Sequence, residues 1–114
     1  MKIVLPIAND QLCMHFGHCE RFDIFDVNPE TGEIISKEMF NPPPHTPGLY
    51  PRLLNGKGAD VIIAGGMGAR AQELFNQNGI KVITGASPES GTPEDIVRLY
   101  LSDALQTGAN ICDH

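Results

Sequence analysis

Tryptophan is absent from the 114-residue sequence and tyrosine occurs only twice, so aromatic platforms on which bases could stack are scarce. Positive charge is short as well. Eight Lys and Arg stand against fourteen Asp and Glu, a formal charge of −6, which counts against non-specific nucleic-acid binding. No apolar run approaches the roughly 20 residues that a bilayer span needs. Met1-Lys2-Ile3-Val4-Leu5-Pro6 is too short for a secretory leader and reads as a first strand. Cysteine is scarce and odd in number, at three; that is a poor disulfide set, and a reducing, cytoplasmic setting follows as the expectation. What remains, 41% hydrophobic and 19% charged residues, is the make-up of an ordinary globular domain. One domain over residues 1–114 is expected, with 107–114 as a tail, and with neither nucleic acid nor membrane as a partner.

Apolar patterning divides the chain into short elements. Lys2 to Ala8, Arg21 to Val27, Glu33 to Phe40, Asp60 to Ala64 and Ile80 to Thr84 read as strands. Asp60 to Ala64 is continuously apolar after its first residue, as in a strand covered on both faces. Asn28-Pro29-Glu30-Thr31-Gly32 turns one strand into the next as a hairpin. Asp10 to Glu20 has no apolar period and reads as a loop. Helices are expected from about Leu49 to Asn55, from about Ala69 to Asn78, and from Glu94 to about Gln106. Thr92 and Asp95 resemble a capping arrangement, and Pro93 suits a first helical turn. A meander followed by alternating units calls for an α/β fold with a mixed, five-stranded sheet and helices on its faces.

The residues able to do chemistry gather in few places. Cys13-Met14-His15-Phe16-Gly17-His18-Cys19 holds two thiols and two imidazoles within seven residues, the donor types that take zinc, copper(I) or iron in clusters. Its spacing is not a standard zinc-finger or ferredoxin spacing, and buried structural cysteines are the bland alternative. Cys112-Asp113-His114 repeats the Cys-x-His unit, and residues two apart in an extended segment face one way. His45 stands in a proline frame, Pro44-His45-Thr46-Pro47, that suits a fixed ligand or a plain connector. Gly65-Gly66-Met67-Gly68 joins a buried strand to a helix, where outward backbone N–H groups accept an anion; Arg70 adds charge. The same glycines also suit tight packing, and the run lacks the Lys-Ser/Thr of a phosphate loop. No nucleophile elbow and no acid/base carboxylate pair is apparent.

Several of these pieces, in this order, resemble the dinitrogenase iron–molybdenum cofactor biosynthesis family, which includes NifX, the C-terminal domain of NifB and the orange protein. They are His15-Phe16-Gly17, Phe22-Asp23-Ile24-Phe25-Asp26-Val27, Asn41-Pro42, His45-x-Pro47-Gly48, Asp60-Val61-Ile62-Ile63-Ala64-Gly65-Gly66-Met67-Gly68 and Gly79-Ile80-Lys81-Val82. The resemblance implies a three-layer α/β/α, ribonuclease-H-like fold without nuclease activity, carrying an anionic metal–sulfur cofactor or precursor. Cys13 and Cys19 depart from NifX-like members and favour an iron–sulfur, zinc or copper ligand set over a cluster held without cysteine; molybdenum stays among the metals considered.

The expectation is therefore a non-catalytic carrier of a metal or metal–sulfur cluster in metallocluster assembly, iron–sulfur first among cargoes. Cys13, His15, His18 and Cys19 are the expected metal ligands, with Cys112 and His114 completing the set. His45, Gly66, Met67, Gly68 and Arg70 are expected to line the cofactor. A partner ATPase or cluster-receiving enzyme and a homodimer are the partners weighed. The rival is a regulatory interaction module with a structural metal; a nucleotide-binding enzyme is a distant third.

Overall fold

The structure is a computed structural model and describes residues 1–16, 19–43 and 48–108. The chain runs β1 (Lys2–Ala8), β2 (Gln11–Leu12), β3 (Arg21–Asn28), β4 (Glu33–Phe40), α1 (Leu49–Gly56), β5 (Val61–Ile63), α2 (Ala69–Gln77), β6 (Lys81–Ile83) and α3 (Pro93–Leu101), with a 3-10 turn at Pro88–Ser90 before α3. The sheet order is β4-β3-β1-β5-β6, with β2 attached to β1. β1 is antiparallel to β3 and parallel to β5, which makes the sheet mixed. Five strands lie on the main path, and β2 adds a sixth that the sequence reading places in a loop. Asn9 and Asp10 explain it: both are left-handed, at φ 55° and 62°, the backbone of a two-residue hairpin turn. A strand of two residues is too short for alternation to show.

Side chains alternate across the sheet and fill two cores. Val4, Phe22, Ile24 and Ile62 pack with Leu54 of α1 and Phe75 of α2 on one face. Ile3, Leu5, Ile7, Phe25 and Val61 pack with Ile96 and Val97 of α3 on the other. Three layers result, α1 and α2 over one face and α3 over the opposite one. No helix among the described residues is long and apolar enough to cross a membrane.

Two local departures have physical causes. In β4, Ser36 opposes Asp26 and Ile34 opposes Val27, so Ile35 is left over as a bulge. This is an edge strand, and a bulge there twists it away from pairing with other chains. Helix α3 stops at Leu101, five residues before the end that the spacing of Ala104 and Leu105 suggests. Asp103 is left-handed (φ 63°), and the Ala104 and Asp103 N–H groups donate to the carbonyls of Leu99 and Tyr100 at 2.8 and 3.1 Å. That is a Schellman stop with aspartate in the usual glycine position; Leu105 reaches the core from beyond the helix.

Among the described residues one carboxylate is fully buried. Asp23 has no exposed surface; its Oδ1 accepts from Arg21 Nε at 2.9 Å, and its Oδ2 faces Lys37 Nζ at 3.5 Å. Arg21 goes on to Asp10 in the β1–β2 turn (3.0 Å), and Lys37 to Glu94 in the first turn of α3 (3.0 Å). The five charges thus tie the first hairpin, β3, β4 and α3 together.

Candidate functional site

The loop after β2 is held by backbone on both sides. The Cys13 N–H donates to Pro6 O at 2.9 Å and the Glu20 N–H to Ile7 O at 2.8 Å, so the chain leaves β1 on one side and returns on the other. In between it lies on the turn after β5. His15 forms an isolated bridge with Gly66, and the Phe16 N–H donates to Gly66 O at 3.0 Å. Gly65 permits this approach: a Cβ there would stand 2.9 Å from Met14 Cα and 3.2 Å from Cys13 O. Phe16 then plugs the loop into the core, with its ring 6.0 Å from Phe22, 5.9 Å from Tyr50 and 5.4 Å from Phe75.

Cys13 and Cys19 lie near enough for their thiols to interact electrostatically, and the Cys13 side chain meets the His15 backbone. Cys13 is buried and its Sγ donates to His15 O at 2.9 Å; His15 is exposed; Cys19 is half-buried against the aromatic cluster. Burial pushes the Cys13 thiol up, and burial together with the charge of Cys13 pushes Cys19 up to about 12. Both thiols are therefore protonated at neutral pH, and a metal would bind them only by displacing those protons. Tyr50, which the sequence reading does not single out, closes the far side. Its hydroxyl donates to Pro43 O at 3.1 Å, and burial, then the Cys19 thiol, push its pKa up.

Helix α1 begins at Leu49, next to the Tyr50 that meets Phe16, and α2 begins at Ala69, three residues after the Gly66 on which the loop docks. Their N-caps are Gly48 and Gly68, with no capping side chain and no acidic residue in the first turn. Helix α3, on the other face, has a full Thr92–Asp95 capping box with Glu94 and Asp95 in its first turn. The two uncapped N-termini carry partial positive charge toward the loop. In a protein of net charge −6 they are the local donors that an anionic group needs. Thiols, an imidazole and free helix amides suit an anionic metal–sulfur group, since the first two bind the metal and the amides offset its charge.

The other expected residues are placed as follows. Gly66 and Gly68 contribute backbone to the turn. Met67 has no exposed surface and packs in the same core cluster as Phe16. Arg70 is exposed and pairs with Glu73 at 3.4 Å on α2. His18, His45, Cys112 and His114 lie outside the described residues. Among the described residues no three His, Cys, Asp or Glu side chains are grouped as a metal site. Gly85 was not anticipated either: its N–H donates to Gly65 O, and its carbonyl accepts from the Gly108 N–H, each at 2.7 Å. No motif marks that relay; only the tertiary approach shows it.

The chain matches known proteins along most of its length. The sequence profile named Dinitrogenase iron-molybdenum cofactor matches residues 1–103. Over 112 residues the chain is 32% identical to the uncharacterised protein MJ0580 of Methanocaldococcus jannaschii, covering 93% of this chain and 90% of that one. The crystal structure of PH0822 superposes with a TM-score of 0.84 at 26% identity over 94% of each chain. The apo orange protein of Desulfovibrio gigas superposes with a TM-score of 0.68 at 21% identity, covering 96% of this chain and 93% of that one. That last likeness is one of fold.

Proposed function

The chain belongs to the dinitrogenase iron–molybdenum cofactor family, and from that premise we propose that it is a carrier for a metal–sulfur cluster, iron–sulfur first, in metallocluster assembly or delivery. On this reading it turns over no substrate, and the cluster is its cargo. The three layers are read as the family's ribonuclease-H-like frame. A cluster-receiving enzyme or an ATPase is its partner, in the cytoplasm.

The observation that supports this most is the docking of the Cys13–Phe16 loop on Gly65 and Gly66. It sets Cys13 and the backbone of His15 against the turn that leads into α2, one of two helices whose N-termini no side chain caps. Cys13 and Cys19 are the proposed thiolate ligands and His15 the imidazole ligand. On the same reading His18 is a further ligand and His45 lines the cargo. The Gly66–Gly68 amides and the first turns of α1 and α2 offset its negative charge. The Cys13 Sγ donates to a backbone carbonyl and burial raises its pKa, the setting of a resting thiol rather than of an activated nucleophile.

Anaerobic reconstitution with ferrous iron and sulfide tests the reading. The wild-type chain is expected to retain both after desalting, with thiolate-to-iron absorption in the visible range. The Cys13→Ser/Cys19→Ser variant is expected to keep its fold and lose both. Equal iron and sulfide in the two proteins would overturn the assignment.

A further inference from the structure

We propose that Glu20 and Arg21 are positioning residues of the loop site: together they clasp the exit of the ligand loop to its entry and so fix how Cys13 and Cys19 stand to one another. This rests on the reading of that loop as a metal–sulfur site and adds what holds its thiols in place. The entry is the Asn9–Asp10 turn, three residues before Cys13, and both of its residues are left-handed. The exit is Glu20-Arg21, directly after Cys19. The Glu20 Oε1 accepts from the Asn9 N–H at 2.9 Å. Arg21 Nη1 donates to Asp10 Oδ1 at 3.0 Å. Two consecutive residues at the exit thus hold the two residues of the turn, one each.

The clasp is anchored from inside. Arg21 also donates from Nε to Oδ1 of the fully buried Asp23 at 2.9 Å, and a planar guanidinium held at Nε has its remaining donors fixed in direction. The second Asp23 oxygen makes no hydrogen bond and faces Lys37 at 3.5 Å, so Arg21 is the group on which this buried charge leans. The outer contacts are different in kind. Asp10 and Glu20 are exposed, and exposed ion pairs add little to stability. Their effect falls on the loop instead. The Cys13 N–H is held on Pro6 O, and Cys19 is joined to Glu20, whose N–H is held on Ile7 O. With the turn and the exit clasped, both thiols start from fixed backbone on either side of the end of β1. Partners that orient metal ligands without touching the metal are worth roughly tenfold to a hundredfold in metal affinity.

Cobalt(II) titration of the full chain under anaerobic, reducing conditions tests this, read beside urea unfolding of the same proteins. Asp10→Gly/Glu20→Ala opens the clasp; glycine keeps the left-handed turn, and no thiol is touched. It is expected to bind cobalt about tenfold more weakly than the wild type, with the same thiolate absorption at saturation and a urea midpoint close to that of the wild type. Asp10→Asn/Glu20→Gln keeps both acceptors and is expected to bind at least as tightly as the wild type. This second pair separates the hydrogen bonds from charge, since after burial the Glu20 carboxylate is a further cause of the raised Cys13 pKa. Wild-type affinity in the opened pair overturns the clasp and leaves the loop site standing. Equal weakening in both pairs overturns it as well, because charge and not the hydrogen bonds would then be at work. A loss of affinity that only follows the fraction unfolded, read by circular dichroism in the titration buffer, overturns the positioning role. An unchanged titration in Cys13→Ser/Cys19→Ser overturns the loop reading instead, and a wild-type chain that binds no cobalt overturns both.

Discussion

Gly65→Ala puts the account of the loop under the most local strain. The new Cβ would stand 2.9 Å from Met14 Cα and 3.0 Å from Met14 O. Both are backbone atoms, so no side chain can swing away, and the Cys13–Phe16 loop has to lift. Forcing a methyl into such a contact costs about 1–3 kcal/mol. Lifting the loop also loosens the Phe16–Gly66 hydrogen bond, worth about 1 kcal/mol net. A loss of about 3 kcal/mol is expected, or about 10 °C in melting temperature for a domain of this size. Gly56→Ala is the internal control: nothing lies within 4 Å of its added Cβ, and at the end of α1 it is expected to stabilise by up to about 1 kcal/mol. Urea unfolding of the three proteins reads the stability, and alkylation of Cys13 in the folded state reads the loop. If Gly65→Ala unfolds within about 0.5 kcal/mol of wild type, with Cys13 as slow to alkylate as before, the docking of the loop on the glycine turn is refuted.

Other perturbations have defined outcomes. Asp23→Ala leaves Arg21 and Lys37 without their buried partner and is expected to cost about 3 kcal/mol in urea unfolding, with Asp23→Asn milder. With its pKa near 12, Cys19 has roughly a thousandfold less thiolate at pH 8 than a thiol of pKa 9. Higher intrinsic nucleophilicity recovers about twentyfold, so alkylation of Cys19 about 50-fold slower than in the unfolded chain is expected by mass spectrometry. Both thiols are raised on folding, so the folded state holds more protons above the unfolded thiol value. Stability is then expected to be full below about pH 9 and to fall from there toward pH 12, a slope that Cys13→Ser/Cys19→Ser flattens. Glu94 moves the other way: its hydrogen bond to Lys37 lowers its pKa. Its contribution is present above the unfolded carboxylate value and lost as pH falls through the folded one, and Lys37→Met is expected to remove that part of the acid limb.

Much of this was legible in the sequence, for physical reasons that particular residues show. Strands and helices with a buried face announce themselves by period, and the Thr92-Pro93-Glu94-Asp95 start of α3 is a cap that works through local bonds alone. The end of α3 was not legible, because Leu105 reaches the core from an extended segment beyond a left-handed aspartate. That Cys13 and Cys19 belong to one short loop could be read from their spacing. Their support could not, since Gly65, Tyr50 and Gly85 act through approaches between segments far apart in the chain. The bare N-caps of α1 and α2 were there to read: glycines and no first-turn acids, in contrast to α3. Their meaning appears only once the Cys13–Phe16 loop is seen to dock against Tyr50 of α1 and the turn before α2.

The central claim is that this acidic domain holds a metal–sulfur cargo on the loop between Cys13 and Cys19. Iron and acid-labile sulfide per chain, measured after anaerobic reconstitution and desalting, test it most directly. Iron and sulfide in comparable amounts in the wild type, and neither in folded Cys13→Ser/Cys19→Ser, are what the account expects. A wild-type chain that retains neither, or a double variant that retains both, contradicts it.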